Sequence, residues 1–284
     1  MIESIARSLL PPFITNLARR IKRFIRKAEP PEWELLPDGW STVTSRTNGW
    51  SDESILEAQL ARWPQFLRHI EGSGPLGVAF EHPDVPADNH SAHNTTMIYA
   101  YVLGLASHNK DRIALLDWGG GIGHYYALSK ALFPSLTIDY HVYDMPQLCE
   151  GGRRLLPEVR FHDDEACLEQ HYDLVMASGS LQFSRDWQRV LSGLASASRG
   201  YVYITRLPCV ERAPSFVVVQ RALRYGYRSE FVGFVLNKGE LLEFAASIGL
   251  SLIREFRLQE APFIHGAPEQ SESRGFLFRV VPAN

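Results

Sequence analysis

Cysteine is scarce in this sequence of 284 residues: the three present, Cys149, Cys167 and Cys209, are odd in number, widely spaced and form no CxxC pair. That pattern excludes a disulfide framework and a cysteine-based zinc site, and it fits a reducing compartment. Long apolar runs are lacking as well. Stretches such as 113–116 and 216–219 fall far short of the ~18 consecutive apolar residues that cross a bilayer, so no transmembrane helix is predicted and the expected location is the cytoplasm. Neither sign of charge dominates, since 29 Lys and Arg against 32 Asp and Glu leave a net −3. A chain without a global basic field is not expected to have nucleic acid as its main partner. What is present, 45% hydrophobic and 21% charged residues with 21 Gly and 17 Pro, describes a folded globular protein of one enlarged domain or two.

Charge is nevertheless uneven along the chain. Residues 1–30 hold Arg7, Arg19, Arg20, Lys22, Arg23, Arg26 and Lys27 against Glu3 and Glu29, a net +5 that leaves −8 for the remainder. Within them Ile14, Leu17, Ile21, Phe24 and Ile25 recur at helical spacing, which predicts a basic amphipathic arm. Such an arm suits peripheral contact with an anionic membrane face, or self-association. No apolar signal-peptide core follows the basic cluster. Residues 31–110 read as a helical cap: a linker with Trp33, Trp40 and Trp50, a helix from Ser51 or Asp52 to Ile70 with a kink at Pro64, a polar loop over 84–93 and a second helix over 94–106.

From residue 112 the pattern changes. Apolar runs at 113–116, 137–142, 159–161, 174–177 and 201–205 alternate with helical stretches at 124–133, 145–156 and 187–197, and this alternation predicts a doubly wound α/β domain over 111–284. Asn237 and Glu240 form a capping-box pattern for a helix reaching Ile248, and strands are expected over 251–258 and 275–281. The segment 209–234, with Arg212, Arg221, Arg224, Tyr225, Tyr227 and Arg228, reads as an insert covering a substrate.

The sharpest local signal is Asp117-Trp118-Gly119-Gly120-Gly121-Ile122-Gly123 at the first strand–helix junction. Glycines there admit close approach to the backbone, and the helix start offers N–H groups. The nicotinamide fingerprint GxGxxG fails, because His124 or Tyr126 stands where its third glycine belongs, and no P-loop GK-Ser/Thr is present. At the end of the next strand Asp144 is placed to accept hydrogen bonds from a ribose diol.

The acid followed by Gly119, Gly121 and Gly123 resembles the first motif of class I S-adenosylmethionine-dependent methyltransferases. Further stretches, Ser178-Gly179-Ser180-Leu181-Gln182-Phe183, Arg206-Leu207-Pro208 and 234–242, together with Gly49-Trp50-Ser51 and 93–99, resemble a family of methyltransferases associated with surface-polysaccharide gene clusters. Coverage is roughly residues 40–281, with the basic arm outside it. The resemblance implies a doubly wound, mostly parallel seven-stranded sheet and S-adenosylmethionine as cofactor. It further implies a methionine anchor at Asp117, ligand room at Gly119, Gly121 and Gly123, ribose contact at Asp144 with Met145 beside it, adenine recognition at Asp163, and a polar lining at Ser178. No metal is called for.

The expected reaction is methyl transfer to a hydroxyl or carboxyl oxygen of a saccharide or another small polar metabolite. A hydroxyl acceptor needs a base, for which His93, His124 and His265 are the candidates, whereas a carboxylate needs none. Arg206, just beyond the fifth strand, suits a carboxylate or phosphate on the acceptor. A nicotinamide-dependent oxidoreductase or epimerase, and a non-catalytic cofactor-binding subunit, are the competing readings.

Overall fold

The structure, a computed structural model, describes residues 30–42, 48–77, 80–81, 89–258 and 261–281. The amphipathic arm, and with it the expected membrane contact or self-association, lies outside the described residues. The described residues from Glu32 onward pack as one compact unit.

The chain opens on β1 (Trp33–Leu35) and two single helical turns (Gly39–Thr42 and Gly49–Ser51), where a linker without strands is expected. Helix α1 (Glu53–Ile70) is capped by Asp52, whose carboxylate accepts the Ser54 N–H at 3.0 Å. Helix α2 (His90–Ala106) begins four residues before the expected start, because the Asn89 side chain takes the Ala92 N–H and supplies the cap. Five strands then alternate with three helices: β2 (Arg112–Trp118), α3 (His124–Leu132), β3 (Thr137–Tyr143), α4 (Pro146–Leu155), β4 (Arg160–His162), β5 (Tyr172–Ser178), α5 (Trp187–Ala197) and β6 (Ser198–Val210). All but β6 match the predicted runs to within two residues, whereas β6 extends well beyond the expected 201–205 at both ends. Buried on both sheet faces, β2 and β5 need continuous apolar sequence, and continuous runs are the most legible strands.

Strands β2 to β6 are parallel in the order β4-β3-β2-β5-β6. Beyond β6 lie β11 (Glu272–Val280), antiparallel to it, and then β9 (Leu250–Arg257). This run of seven is the expected doubly wound core, but the sheet does not stop there. The segment 209–234, expected as a separate cover, supplies β7 (Phe216–Arg221) and most of β8 (Glu230–Asn237), which pair antiparallel. β8 joins the last residues of β6, β7 pairs with β1, and β1 with β10 (Ile264–His265). Among the described residues a mixed sheet of eleven strands therefore replaces the mostly parallel seven-stranded one. The difference arises in β6, which at 13 residues outruns β5 and leaves its end free for a second set of partners.

Two apolar layers cover the core. One holds α1 to α4, with Ile55, Tyr99, Val102, Leu103 and Leu128 against Leu115, Leu174 and Met176; the other holds α5 and α6 (Lys238–Ser247), with Leu191, Leu194 and Leu241 against Leu116, Val175 and Val202. Asn237 caps α6 as predicted, accepting the Glu240 N–H at 3.1 Å. The carboxylate of Glu240 accepts from the Ser215 hydroxyl rather than from the cap, so only half of the box forms. Among the described residues no helix is long and apolar enough to cross a membrane.

Candidate active site

The carboxyl ends of β2, β3 and β5 meet around a cavity of about 180 Å³, the edge at which open α/β sheets bind ligands. Asp117, Gly119, Gly121, His124, Asp144, Met145 and Ser178 line it, so seven predicted residues come together there. Side chains of the protein itself lie close to two glycines of this loop. Gly119 has φ +76°, and a Cβ on it would sit 2.4 Å from Cβ of Ser180. Gly121 has φ +59°, and its Cβ would lie 2.8 Å from Oε1 of Gln59. The nearest atoms belong to the protein itself.

Nor are the loop amides open. Gly119 N–H donates to the Tyr143 carbonyl at 2.7 Å and Gly123 N–H to the Gly120 carbonyl at 3.1 Å. Gly121 N–H donates to Asp144 Oδ2 at 2.7 Å, and Ile122 N–H to Gln59 Oε1 at 3.2 Å. Four amides of the loop, those of Gly119, Gly121, Ile122 and Gly123, are thus engaged within the protein.

Asp117 is fully buried at the end of β2. Its Oδ2 accepts from the Tyr140 hydroxyl at 3.0 Å, and its Oδ1 has no partner. Loss of hydration pushes its pKa up to about 7, the Tyr140 hydrogen bond opposes this, and the nearby Asp144 charge adds to it. Asp144 is pushed up to about 6 by desolvation, against the backbone N–H groups of Met145 and Gly121 that its two oxygens accept. Each oxygen keeps a second lone pair. Ser178 shares a hydrogen bond of 3.1 Å with the Tyr125 hydroxyl. Trp118 and Tyr143 stack with centroids 3.8 Å apart and also line the cavity.

A larger cavity of about 520 Å³ adjoins the first and shares Trp50, Glu81, Gly179 and Phe183 with it. Its walls combine aromatic rings, among them Trp33, Tyr225, Tyr227 and Phe263, with two acid–arginine pairs. Arg206 Nη2 lies 2.7 Å from Glu81 and Arg224 Nε 2.9 Å from Glu32. The expectation that Arg206 stands just beyond the fifth strand is corrected, because the residue lies inside β6. Leu207 faces Arg274 and Ile204 faces Phe276 on β11, so Thr205 and Arg206 together oppose Gly275. Arg206 takes φ +54° in this bulge, a device that re-aims a side chain out of the ladder.

The remaining candidates separate. His124 packs flat on Phe80, with centroids 4.6 Å apart and an interplanar angle of 7°. Desolvation and, secondarily, Arg206 push its pKa down to about 4 against the pull of Glu81, which makes it a weak base. His265 lines the larger cavity. His93, in the first turn of α2, lines neither cavity, and its Nδ1 is buried without a partner. Asp163 is half exposed, lies 3.7 Å from the Arg153 guanidinium and is outside both linings. Among the lining residues that sequence reasoning misses are Gln59 and Glu81, which come from the cap and which no motif marks, and Trp50, which lies in the Gly49-Trp50-Ser51 stretch but is not read there as a site residue. Among the described residues no group of three or more His, Cys, Asp or Glu is placed to hold a metal.

No family model matches the sequence, and no curated protein matches it. Solved structures do. Magnesium protoporphyrin IX methyltransferase from Synechocystis PCC 6803 with bound SAM aligns over 81% of this chain and 98% of its own, at 16% identity and a TM-score of 0.48. The 1,6-didemethyltoxoflavin-N1-methyltransferase of Burkholderia thailandensis, with its toxoflavin precursor and S-adenosylhomocysteine, aligns over 84% and 94%, at 14% identity and 0.47. Mitomycin 7-O-methyltransferase aligns over 78% and 68%, at 17% and 0.44.

Proposed function

We propose that this chain is an S-adenosylmethionine-dependent methyltransferase acting on an oxygen of a saccharide or other small polar metabolite. The observation that carries the cofactor reading is the charge of the smaller cavity. Glu81, Asp117 and Asp144 line it, and among its described lining residues there is no lysine or arginine. A cationic ligand suits such a wall, while a dinucleotide pyrophosphate would meet the buried Asp117, the partly buried Asp144 and a glycine loop with four amides already engaged. This speaks against the nicotinamide alternative. The unpartnered Oδ1 of Asp117 is the polar atom that a ligand ammonium would satisfy, and the spare lone pairs of Asp144 suit a diol.

When bound, S-adenosylmethionine supplies the methyl group. The protein's share is to align the acceptor and exclude water. The larger cavity serves the acceptor in this reading, since it opens on the first through Trp50, Glu81, Gly179 and Phe183. Aromatic faces flanked by acid–guanidinium pairs offer both flat apolar surface and paired donors and acceptors, which a polyhydroxylated ring uses. For a hydroxyl acceptor, Glu81 and His265 stand nearer than His93 to where a proton must be taken; for a carboxylate, Arg206 orients the charge.

Calorimetric titration tests the cofactor reading directly. S-adenosylmethionine should bind, and NAD at the same concentrations should not. Binding of NAD alone would overturn the reading. With S-adenosylmethionine bound, release of S-adenosylhomocysteine on adding monosaccharides and sugar acids tests the acceptor class, and turnover only with non-saccharide acceptors would overturn that part.

A further inference from the structure

We propose that Gln59, on the cap helix α1, is a residue of the cofactor site: its carboxamide fixes the glycine loop in the shape a ligand rests on. This rests on the methyltransferase reading. Gln59 lies 63 residues before Ile122, far from any motif, yet it lines the smaller cavity beside Asp117 and Asp144. It is only 6% exposed, and an amide removed from water is stabilising only when hydrogen bonded. Its Oε1 accepts the Ile122 N–H at 3.2 Å, and its side chain also meets Tyr227. Together with Asp144, which takes the Gly121 N–H, it clamps two successive loop amides from opposite sides, one from the cap and one from the sheet.

The fit is mutual. A Cβ on Gly121 would displace the Gln59 carboxamide, 2.8 Å away, and the φ of +59° there favours glycine as well. Helix α1 is in turn held so that Gln59 arrives in place. Leu56 packs onto Gly151 of α4, where a Cβ would lie 2.4 Å from its Cδ1. Ser54 Oγ accepts the Arg228 N–H at 2.9 Å, and the Arg62 guanidinium donates to the Tyr225 carbonyl. Arg228 and Tyr225 belong to the segment that walls the larger cavity. The cap is thereby part of the cofactor site itself, and not merely a cover over the acceptor.

Two substitutions separate a positioning role from a merely structural one. Gln59→Met keeps the length and volume and removes the acceptor; Gln59→Glu keeps an acceptor oxygen. Binding of S-adenosylmethionine and S-adenosylhomocysteine is measured by calorimetry, and exchange of the Ile122 amide by NMR, on full-length protein checked for an unchanged unfolding transition. The methionine variant should bind both ligands at least tenfold more weakly and exchange the Ile122 amide at least tenfold faster. The glutamate variant should stay within about threefold of wild type in both. Wild-type affinity in a folded methionine variant, or equal losses in both variants, overturns the proposal while leaving the methyltransferase reading intact. A wild-type protein that binds neither ligand overturns that reading and this proposal with it. Should the methionine variant not fold, unprotected exchange of Ile122 in wild type is sufficient to overturn it.

Discussion

The two adjoining cavities differ in how the chain builds them. Most of the smaller one comes from three strand ends, at Asp117, Asp144 and Ser178, and its titratable wall is acidic. The larger one gathers side chains from β1, the β6 bulge, the β7–β8 segment and the loop near Phe263, and its acids are matched by arginines. A site whose parts lie within a few residues of strand ends can be read from sequence. A site assembled across a 13-residue strand and its extra partners cannot.

The largest effect expected is on the loop between them. Gly119→Ala places a Cβ 2.4 Å from Ser180 at a left-handed φ. Both clash and strain act on a buried backbone, so unfolding in urea should show a loss of about 2–4 kcal/mol. Adding Ser180→Gly should recover part of it, which would identify the neighbouring strand end, and not an absent ligand, as the reason for glycine.

Next comes a contrast between the cavities. Asp117→Ala should weaken S-adenosylmethionine binding ten- to a hundredfold, about 1.4–2.7 kcal/mol, by removing the unpartnered carboxylate oxygen. Arg206→Ala, on the acceptor side, should leave that affinity within about twofold. Equal losses in the two variants would merge the cavities into one site and break the comparison.

The acidity of the smaller cavity gives a pH dependence with a definite sign. Asp117 and Asp144 titrate near 7 and 6 rather than near 3.8. A cationic ligand prefers the ionised forms, so affinity should rise from pH 5 to pH 8, and Asp117→Asn should flatten the upper part of the curve. In the unliganded protein the raised pKa works the other way. The stability that Asp117 contributes by holding a proton is present below pH 3.8 and lost as pH rises through about 7. His124 and His141 are held near 4 against 6.5, so their contribution is present above pH 6.5 and lost as pH falls through about 4. The difference between wild type and Asp117→Asn isolates the aspartate.

These opposing groups also show what was legible. Asp117 and Asp144 are legible as candidates because an acid at the end of an apolar run is a local pattern, and Asp117 also precedes a glycine turn. Each of the five parallel strands was found because apolar runs between helices are local too. Gln59, Glu81 and the strand character of Trp33–Leu35 were not, since their roles depend on partners more than 60 residues away. His93 was favoured for its place at a helix start, and helix position alone does not tell which face a side chain takes.

The smallest effect tests the bulge that places Arg206 at the larger cavity. Its φ of +54° costs an L-residue with a Cβ roughly 1–2 kcal/mol, and glycine nothing. Comparing Arg206→Ala with Arg206→Gly removes the Glu81 ion pair from both, so that the term cancels. What remains is relief of the backbone in glycine, opposed by the extra freedom glycine has when unfolded, about 0.5–1 kcal/mol. The glycine variant should therefore be more stable than the alanine variant by about 0.5–1 kcal/mol in denaturant unfolding, with cofactor affinity equal in the two. An alanine variant as stable as the glycine one would mean that β6 relaxes when the guanidinium is gone, and that the ion pair with Glu81, rather than the β11 register, holds the bulge in place.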